Sequence, residues 1–302
     1  MKEITTQATN NLNIVGKLLN VTFGDGTMSD GRHYERASLT VRVTQKVEND
    51  IETSEIPVSI FAAQFTKQNK PNPMYDTIQN LKSMKTVENV GLDMADTIRM
   101  SRANIQENSY VARSGQFYNG WQVRGSFCGK AGENPKEIAS FNTDIFILDM
   151  HDEMDSEGDP TGRLIVKGGI VQYGGTLDVL EFVVEAPEKV DYLQRNWNIN
   201  DTVNVMGRIR VTTRQESHPS TVSSWGETFE EDSTRTVREL VITGGSDEPF
   251  EEDFAYDPVD IKKAFNVRKA KIEQMQIDAK NGTTAKAASD ATAKKPAKYD
   301  WE

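Results

Sequence analysis

The chain has one cysteine, Cys128, in 302 residues, which excludes an internal disulfide and any thiolate-rich zinc site. Its three histidines, His33, His151 and His218, lie far apart in sequence, so neither an imidazole set at metal spacing nor a Cys/His nucleophilic pair can be drawn. No stretch approaches the roughly 18 apolar residues of a spanning helix, and the opening "MKEITTQATNNLNIVGKLL" lacks a signal-like apolar run. The expectation is a soluble, intracellular protein with no membrane association. No G-x-S-x-G, P-loop or H-E-x-x-H occurs, so the chain reads as a non-enzyme with no cofactor and no metal. Basic residues are missing from two particular stretches. Residues 144–160 and 246–260 each hold seven acids and no Lys or Arg, so the net charge of −11 leaves the rest of the chain at +3. Segregated acidity does not forbid an anionic ligand elsewhere.

What the chain does have is β patterning. "NIVGKLLNVTF" leads to the turn-rich "GDGTMSDGR", and "HYERASLTVRV" alternates Ala37, Leu39, Val41 and Val43 inward against Tyr34, Arg36, Ser38, Thr40 and Arg42 outward. "IPVSIFAAQF" sends Ile56, Val58, Ile60 and Ala62 in and Phe61 and Phe65 out, and Pro57 marks an edge or a bulge. A helix is expected over "PMYDTIQNLKSM", then strands over "DTIRMSRANI" and "GWQVRGSFC". In the first of these the inward phase switches from Ile98 and Met100 to Ala103 and Ile105, which predicts a bulge near Ser101 and Arg102.

Three strands, a helix and two strands is the order of an OB-fold barrel. The second half repeats it, and Asp96-Thr97-Ile98-Arg99-Met100 recurs 105 residues later as Asp201-Thr202-Val203-Asn204-Val205, each time after a helix and opening a strand. The fold class expected is mainly β: two tandem five-stranded OB-fold barrels with a C-terminal helix and a flexible acidic tail. The domains are read as 1–135, 136–245 and 246–302, the last comprising acidic linker, helix and tail. The helix begins with Asp257 as N-cap and Pro258 in its first turn, carries the stripe Ile261, Ala264, Phe265, Ile272 and Met275, and stops at Asn281-Gly282.

Exposed aromatics interleaved with arginines carry the functional reading. Bases stack on rings while Arg and Lys neutralise the phosphates between them. The candidate DNA-binding set is Tyr34, Arg36, Arg42, Phe61, Phe65, Lys67, Arg99, Arg102 and Arg124 on the first barrel. To it belong Tyr110, Arg113, Phe117, Tyr118 and Trp121 in the loop "QENSYVARSGQFYNGW", and Arg208, Arg210, Arg214 and Trp225 in the second half. Solvated decoration of a wet sheet face is the plain alternative for the arginines, and self-pinning of a hairpin for the loop aromatics. The acidic turn "DEMDSEGDPTG" lacks the EF-hand pattern and reads as a solvated loop. The segment from Asp247 to Tyr256 is either a solvated linker or a nucleic-acid mimic.

The segments "IPVSIFAAQFTKQNKPNPMYDTI", "ADTIRMSRANIQENSYVARSGQFYNGWQVRGSF" and "NDTVNVMGRIRV" resemble OB-fold single-stranded DNA-binding proteins, in particular bacteriophage-encoded ones. The resemblance covers roughly residues 10 to 245. It implies a protein that coats single-stranded DNA in replication, recombination or repair, in the cytoplasm of a bacterial host if phage-encoded. It also implies that partner proteins are recruited through a C-terminal tip, here Tyr299, Asp300, Trp301 and Glu302. This tail departs from the family pattern in being short and preceded by Lys294, Lys295 and Lys298. Relatives assemble four barrels, so a homodimer joined through the 261–279 helix would suffice. A phage structural or assembly protein that binds only protein is the competing reading, and a nuclease needs a carboxylate cluster that the sequence does not supply.

Overall fold

The computed structural model describes residues 1–112, 114–217, 221–222, 228–229 and 232–280. The first half runs β1 (Asn10–Thr27), β2 (His33–Val47), β3 (Asp50–Ala63), α1 (Pro73–Leu81), α2 (Val87–Val90), β4 (Thr97–Glu107), the short β5 (Tyr110–Val111) and β6 (Phe117–Tyr118), and β7 (Trp121–Lys130). The second runs β8 (Ile138–Met154), β9 (Pro160–Val171), β10 (Leu177–Val184), α3 (Pro187–Asn196), β11 (Thr202–Ser217), β12 (Thr221–Val222), β13 (Thr228–Phe229) and β14 (Asp232–Gly245), followed by α4 (Pro258–Lys280).

Hydrogen bonding closes each half into a barrel. In the first, the order is β1-β2-β3-β7-β4, with β3 and β7 parallel over Val58–Ile60 and β4 returning to β1 at Ile14–Lys17. The second follows the same path, β8-β9-β10-β14-β11, with β10 and β14 parallel at Val183 and Val241 and β11 closing on β8. Both are five-stranded OB barrels with a helix between the third and fourth strands. The internal repeat is therefore present as topology. β1 also pairs with β8, Asn10–Val15 against Thr143–Ile138, so the barrels share one continuous ten-stranded sheet.

The alternation explains the core. Ala37, Leu39, Val41 and Val43 of β2 are buried, as are Ile56, Val58, Ile60 and Ala62 of β3 and Val203, Val205, Ile209 and Val211 of β11. The phase change in β4 is a register shift around Arg102 in its pairing with β7. Pro57 sits in an unbroken β2–β3 ladder opposite Thr40, while β3 meets β7 only over Val58–Ile60. The missing N–H is thus placed on a stretch with no partner strand, and no bulge is needed. Helix α1 starts at an N-cap, Asn72, whose side chain accepts from the Met74 N–H.

The acidic segment after β14 is a fastened strap. The Ser246 N–H donates to the Asn204 carbonyl and the Phe250 N–H to the Thr202 carbonyl. Tyr256 is only 2% exposed, with its N–H on Thr202 Oγ1 and its hydroxyl donating to the Thr6 carbonyl. The segment's carboxylates are exposed, as a solvated linker has them, but its aromatic end is core and the strap lies on the second barrel. The helix stripe is likewise spent within the chain. Ile261 is buried, Ala264 and Phe265 pack against the core, and Ile272 and Met275 line a cavity with the β9–β10 turn.

Candidate nucleic-acid interface

On the outer face of the first barrel, β1, β2 and β3 build an aromatic and cationic track. Tyr34 and Arg36 face Gly26 and Gly24 across the β1–β2 ladder. A Cβ on Gly24 would lie 2.8 Å from Arg36 Nε, and one on Gly26 2.6 Å from the Tyr34 hydroxyl, so the two glycines let these side chains lie flat across β1. Phe61 stands opposite Arg36 on β3, is 44% exposed, and its ring packs 4.9 Å from that of Tyr34. The neighbouring row continues through Ser38, Ser59, Arg124 and Asn104 onto β7 and β4. The bulge in β4 turns Arg102 over the Phe127 ring, 5.7 Å from its centroid.

The loop after β3 extends the track. Arg32 binds Asp30 through Nε and Nη2 and donates through Nη1 to the Phe65 carbonyl at 2.9 Å. That bond ties the β1–β2 turn to the segment presenting Phe65 (37% exposed) and the exposed Lys67. Arg36, Arg42, Arg99, Arg102 and Arg124 form no ion pair among the described residues, unlike Arg163, Arg208 and Arg210 of the second barrel. The exposed guanidinium groups of Arg102 and Arg124, bound to no carboxylate, are available to an anion.

The β5–β6 hairpin stands beside this face as a finger. Tyr110 and Tyr118 oppose one another, their rings stacked 5.1 Å apart at 16°, and are 56% and 41% exposed; Phe117 is half-buried. The finger's root is clamped by Glu107. Its carboxylate accepts from Arg268 Nε and Nη2 at 2.7 Å each, from the Val179 N–H and from the Ser109 hydroxyl. Burial alone would raise the Glu107 carboxyl, but Arg268, Ser109 and Val179 outweigh it and hold it below its ordinary value. Asp178 accepts the Glu107 N–H and shifts the opposite way, pushed up first by burial and further by the Glu107 charge. One clamp thus joins both barrels and α4 at the base of the finger.

Two expectations are corrected here. Trp121 is 7% exposed and shares the inward face of β7 with Val123, so its ring is wall and not platform. Arg208 and Arg210, expected to follow phosphates, are instead paired. Arg208 binds Glu185 at 2.5 Å, Arg210 binds Glu185 at 2.5 Å and also Glu239, and Glu239 receives Arg163 at 2.6 Å. Glu52 of β3 reaches the same cluster 3.5 Å from Arg208, and Arg163 also meets Glu153. Burial opposes ionisation of Glu185 and Glu239, yet the arginines hold both carboxyls below their ordinary values. This cluster occupies strands of the second barrel that correspond to the track-bearing strands of the first, and it fastens β3 to β11.

The remaining candidates divide. Arg42 is on the outer face of β2 with Arg36, but six residues away, about 20 Å along the strand. It lines a separate hollow with Lys17, Asp93 and Glu137. Arg99 is exposed on β4, one strand over from Lys17. Arg214 belongs to β11, with its side chain outside the described set; Arg113, Trp225, Tyr299, Asp300, Trp301 and Glu302 lie outside the described residues. The acidic turn is closed by its own backbone, Asp155 accepting the Glu157 and Asp159 N–H groups. Among the described residues no group of three or more His, Cys, Asp or Glu is placed to hold a metal ion, and no helix is long and apolar enough to cross a membrane.

The YorF family model matches residues 8–278, both barrels and nearly all of α4. The chain belongs to the YorF family. No curated protein matches this YorF chain in sequence. Among solved structures it is similar to a deletion and point mutant of the single-stranded DNA binding protein from Thermus aquaticus, with TM-score 0.48, 12% identity, and 82% of this chain and 97% of that one covered. The wild-type form of that protein is similar with TM-score 0.46, 12% identity and coverages of 82% and 95%. Sequence reading missed Phe127, whose signal was its position beside the β4 bulge, and Arg238 and Glu181, which lie on strands of the second barrel near the finger.

Proposed function

We propose that this YorF chain is a non-enzymatic protein that binds single-stranded DNA with little sequence preference, through the outer face and finger of its first barrel. The observation that carries the reading is the pairing of surface rings with uncompensated cations: the exposed Phe61 against the half-buried Tyr34, and the exposed Tyr110 on Tyr118, with Arg36, Arg102 and Arg124 outside any ion pair among the described residues. Exposed rings on a sheet face offer stacking platforms, and arginines without carboxylate partners lose no salt bridge on meeting phosphate. Residues 1–135 are the binding unit in this reading. Residues 136–245 support it, since Arg163, Arg208 and Arg210 on their outer face are neutralised by Glu185 and Glu239. Residues 246–280 fasten the two, and Tyr299–Glu302 recruit partner proteins. The setting is replication, recombination or repair of DNA in a bacterial cytoplasm, with the chain phage-encoded, and a homodimer would bring four barrels together.

Titration of a fluorescent oligo-dT with purified protein at low and high salt, with duplex DNA as competitor, tests this. The expected result is single-strand binding that weakens with salt and resists duplex competition. No binding at low salt overturns it and leaves a protein-binding assembly role as the account of the fold.

A further inference from the structure

Between the finger and the second barrel lies a cavity of ≈ 400 Å³ that neither barrel forms alone. Its first-barrel side is Asn108, the stacked Tyr110 and Tyr118, and the buried Trp121; its second-barrel side carries Glu181 of β10 and Arg238 of β14. Glu181 and Arg238 are both exposed and of opposite charge, yet they pair neither with one another nor with any other described residue. An unneutralised carboxylate and an unneutralised guanidinium on one hollow suit a ligand that brings both a negative group and N–H donors. A nucleotide is such a ligand, with its phosphate on Arg238 and its base edge on Glu181.

We infer that this cavity is a single-nucleotide slot shared by the two barrels, and that it favours guanine. The inference rests on the single-strand reading above and adds a position-specific preference to it. An ionised carboxylate is acceptor-only and takes paired donors bidentately. Guanine alone among the four DNA bases presents two adjacent donors on its Watson–Crick edge, N1–H and the N2 amino group. Tyr110, more than half exposed on one flank of the hollow, supplies the ring on which that base stacks, and Trp121 closes the floor. The slot also gives the strand a path from the first barrel onto the second that avoids the Arg208–Arg210 cluster.

The test compares three oligonucleotides with the full chain: all-dT, dT with one central dG, and dT with one central deoxyinosine, which lacks the N2 amino group. The dG oligonucleotide is expected to bind roughly 5- to 10-fold tighter than the other two, a difference of about 1 kcal/mol. Within the Glu181→Gln protein the dG, deoxyinosine and all-dT oligonucleotides are expected to bind alike, so that the dG advantage is lost. Arg238→Ala weakens all three alike and reduces the salt slope by about one. Both side chains are exposed, and unchanged melting curves establish that the variants fold. Equal binding of the three by the native chain, or a dG preference that survives Glu181→Gln, overturns the slot while the single-strand reading stands. No binding of any of them overturns both.

Discussion

Replacing Arg210 by Met separates the structural arginines from those proposed to bind the strand. The Arg210 side chain is 16% exposed and sits between Glu185, 29% exposed, and Glu239, 14% exposed. Removing one partner of a buried pair costs about 3–5 kcal/mol, because a charge is left without compensation. Here Glu185 keeps Arg208 and Glu239 keeps Arg163, and residual solvent contact screens both, so the loss is set at about 2–3 kcal/mol. For a protein of this size that is a fall in Tm of roughly 3–5 °C. The cluster also has a pH signature. Glu185 and Glu239 lie below the ordinary value of 4.5 in the fold, so their stabilisation is complete above that value and is lost as pH falls through the depressed folded pKa. Arg210→Met shows less of this acid loss. Thermal melts from pH 7 downward, paired with oligo-dT titration, read both effects. The expected outcome is lower stability with affinity within about twofold of the parent. Arg124→Ala, on an exposed and unpaired position, is expected to do the opposite, with stability within about 0.5 kcal/mol and weaker, less salt-sensitive binding. An Arg210→Met protein that melts normally but loses oligonucleotide affinity would instead place Arg210 on the strand.

Phe61→Ala removes an exposed ring whose loss costs little folding energy; it is expected to weaken oligo-dT binding by about 1–3 kcal/mol, roughly 5- to 150-fold, in the same titration. Arg268→Ala leaves Glu107 without its bidentate partner in a site where both side chains are at most 15% exposed. The finger root and α4 should then exchange amide hydrogens faster by mass spectrometry, with the β1–β3 core unchanged. Cys128 is buried and its thiol is pushed up to about 12 by desolvation. Alkylation at pH 8 should therefore proceed only in denaturant.

Much of the fold was legible because barrel strands write their inward faces as simple alternation. Even the phase slip at Ser101 and Arg102 announced the bulge in β4. The repeat was legible for the same reason, since both halves place a helix before the fourth strand. Arg208 and Arg210 show where such reading stops. Their parity put them on the outer face correctly, but their partners Glu185 and Glu239 are 23 to 29 residues away and meet them only through the β11–β14–β10 ladder order. Glu52 arrives from the other barrel. A charge on an outer face has no readable meaning until the neighbouring strands are known. Trp121 is a different case, because its parity with Val123 and Gly125 already pointed inward, and its place in an aromatic-rich loop drew attention away from that signal. Tyr256 was hidden by the acids around it; one ring among solvated carboxylates pins the whole strap.

In the proposed function the first barrel's outer face and finger, not the second barrel's outer face, carry the strand. Photocrosslinking of a bromouracil-substituted oligo-dT to the native protein, with the attached residues identified by mass spectrometry, tests it most directly. The predicted attachments are at Tyr34, Phe61, Tyr110 and Tyr118. Attachment confined to β9, β11 or α4, with the first barrel unmodified, would contradict it.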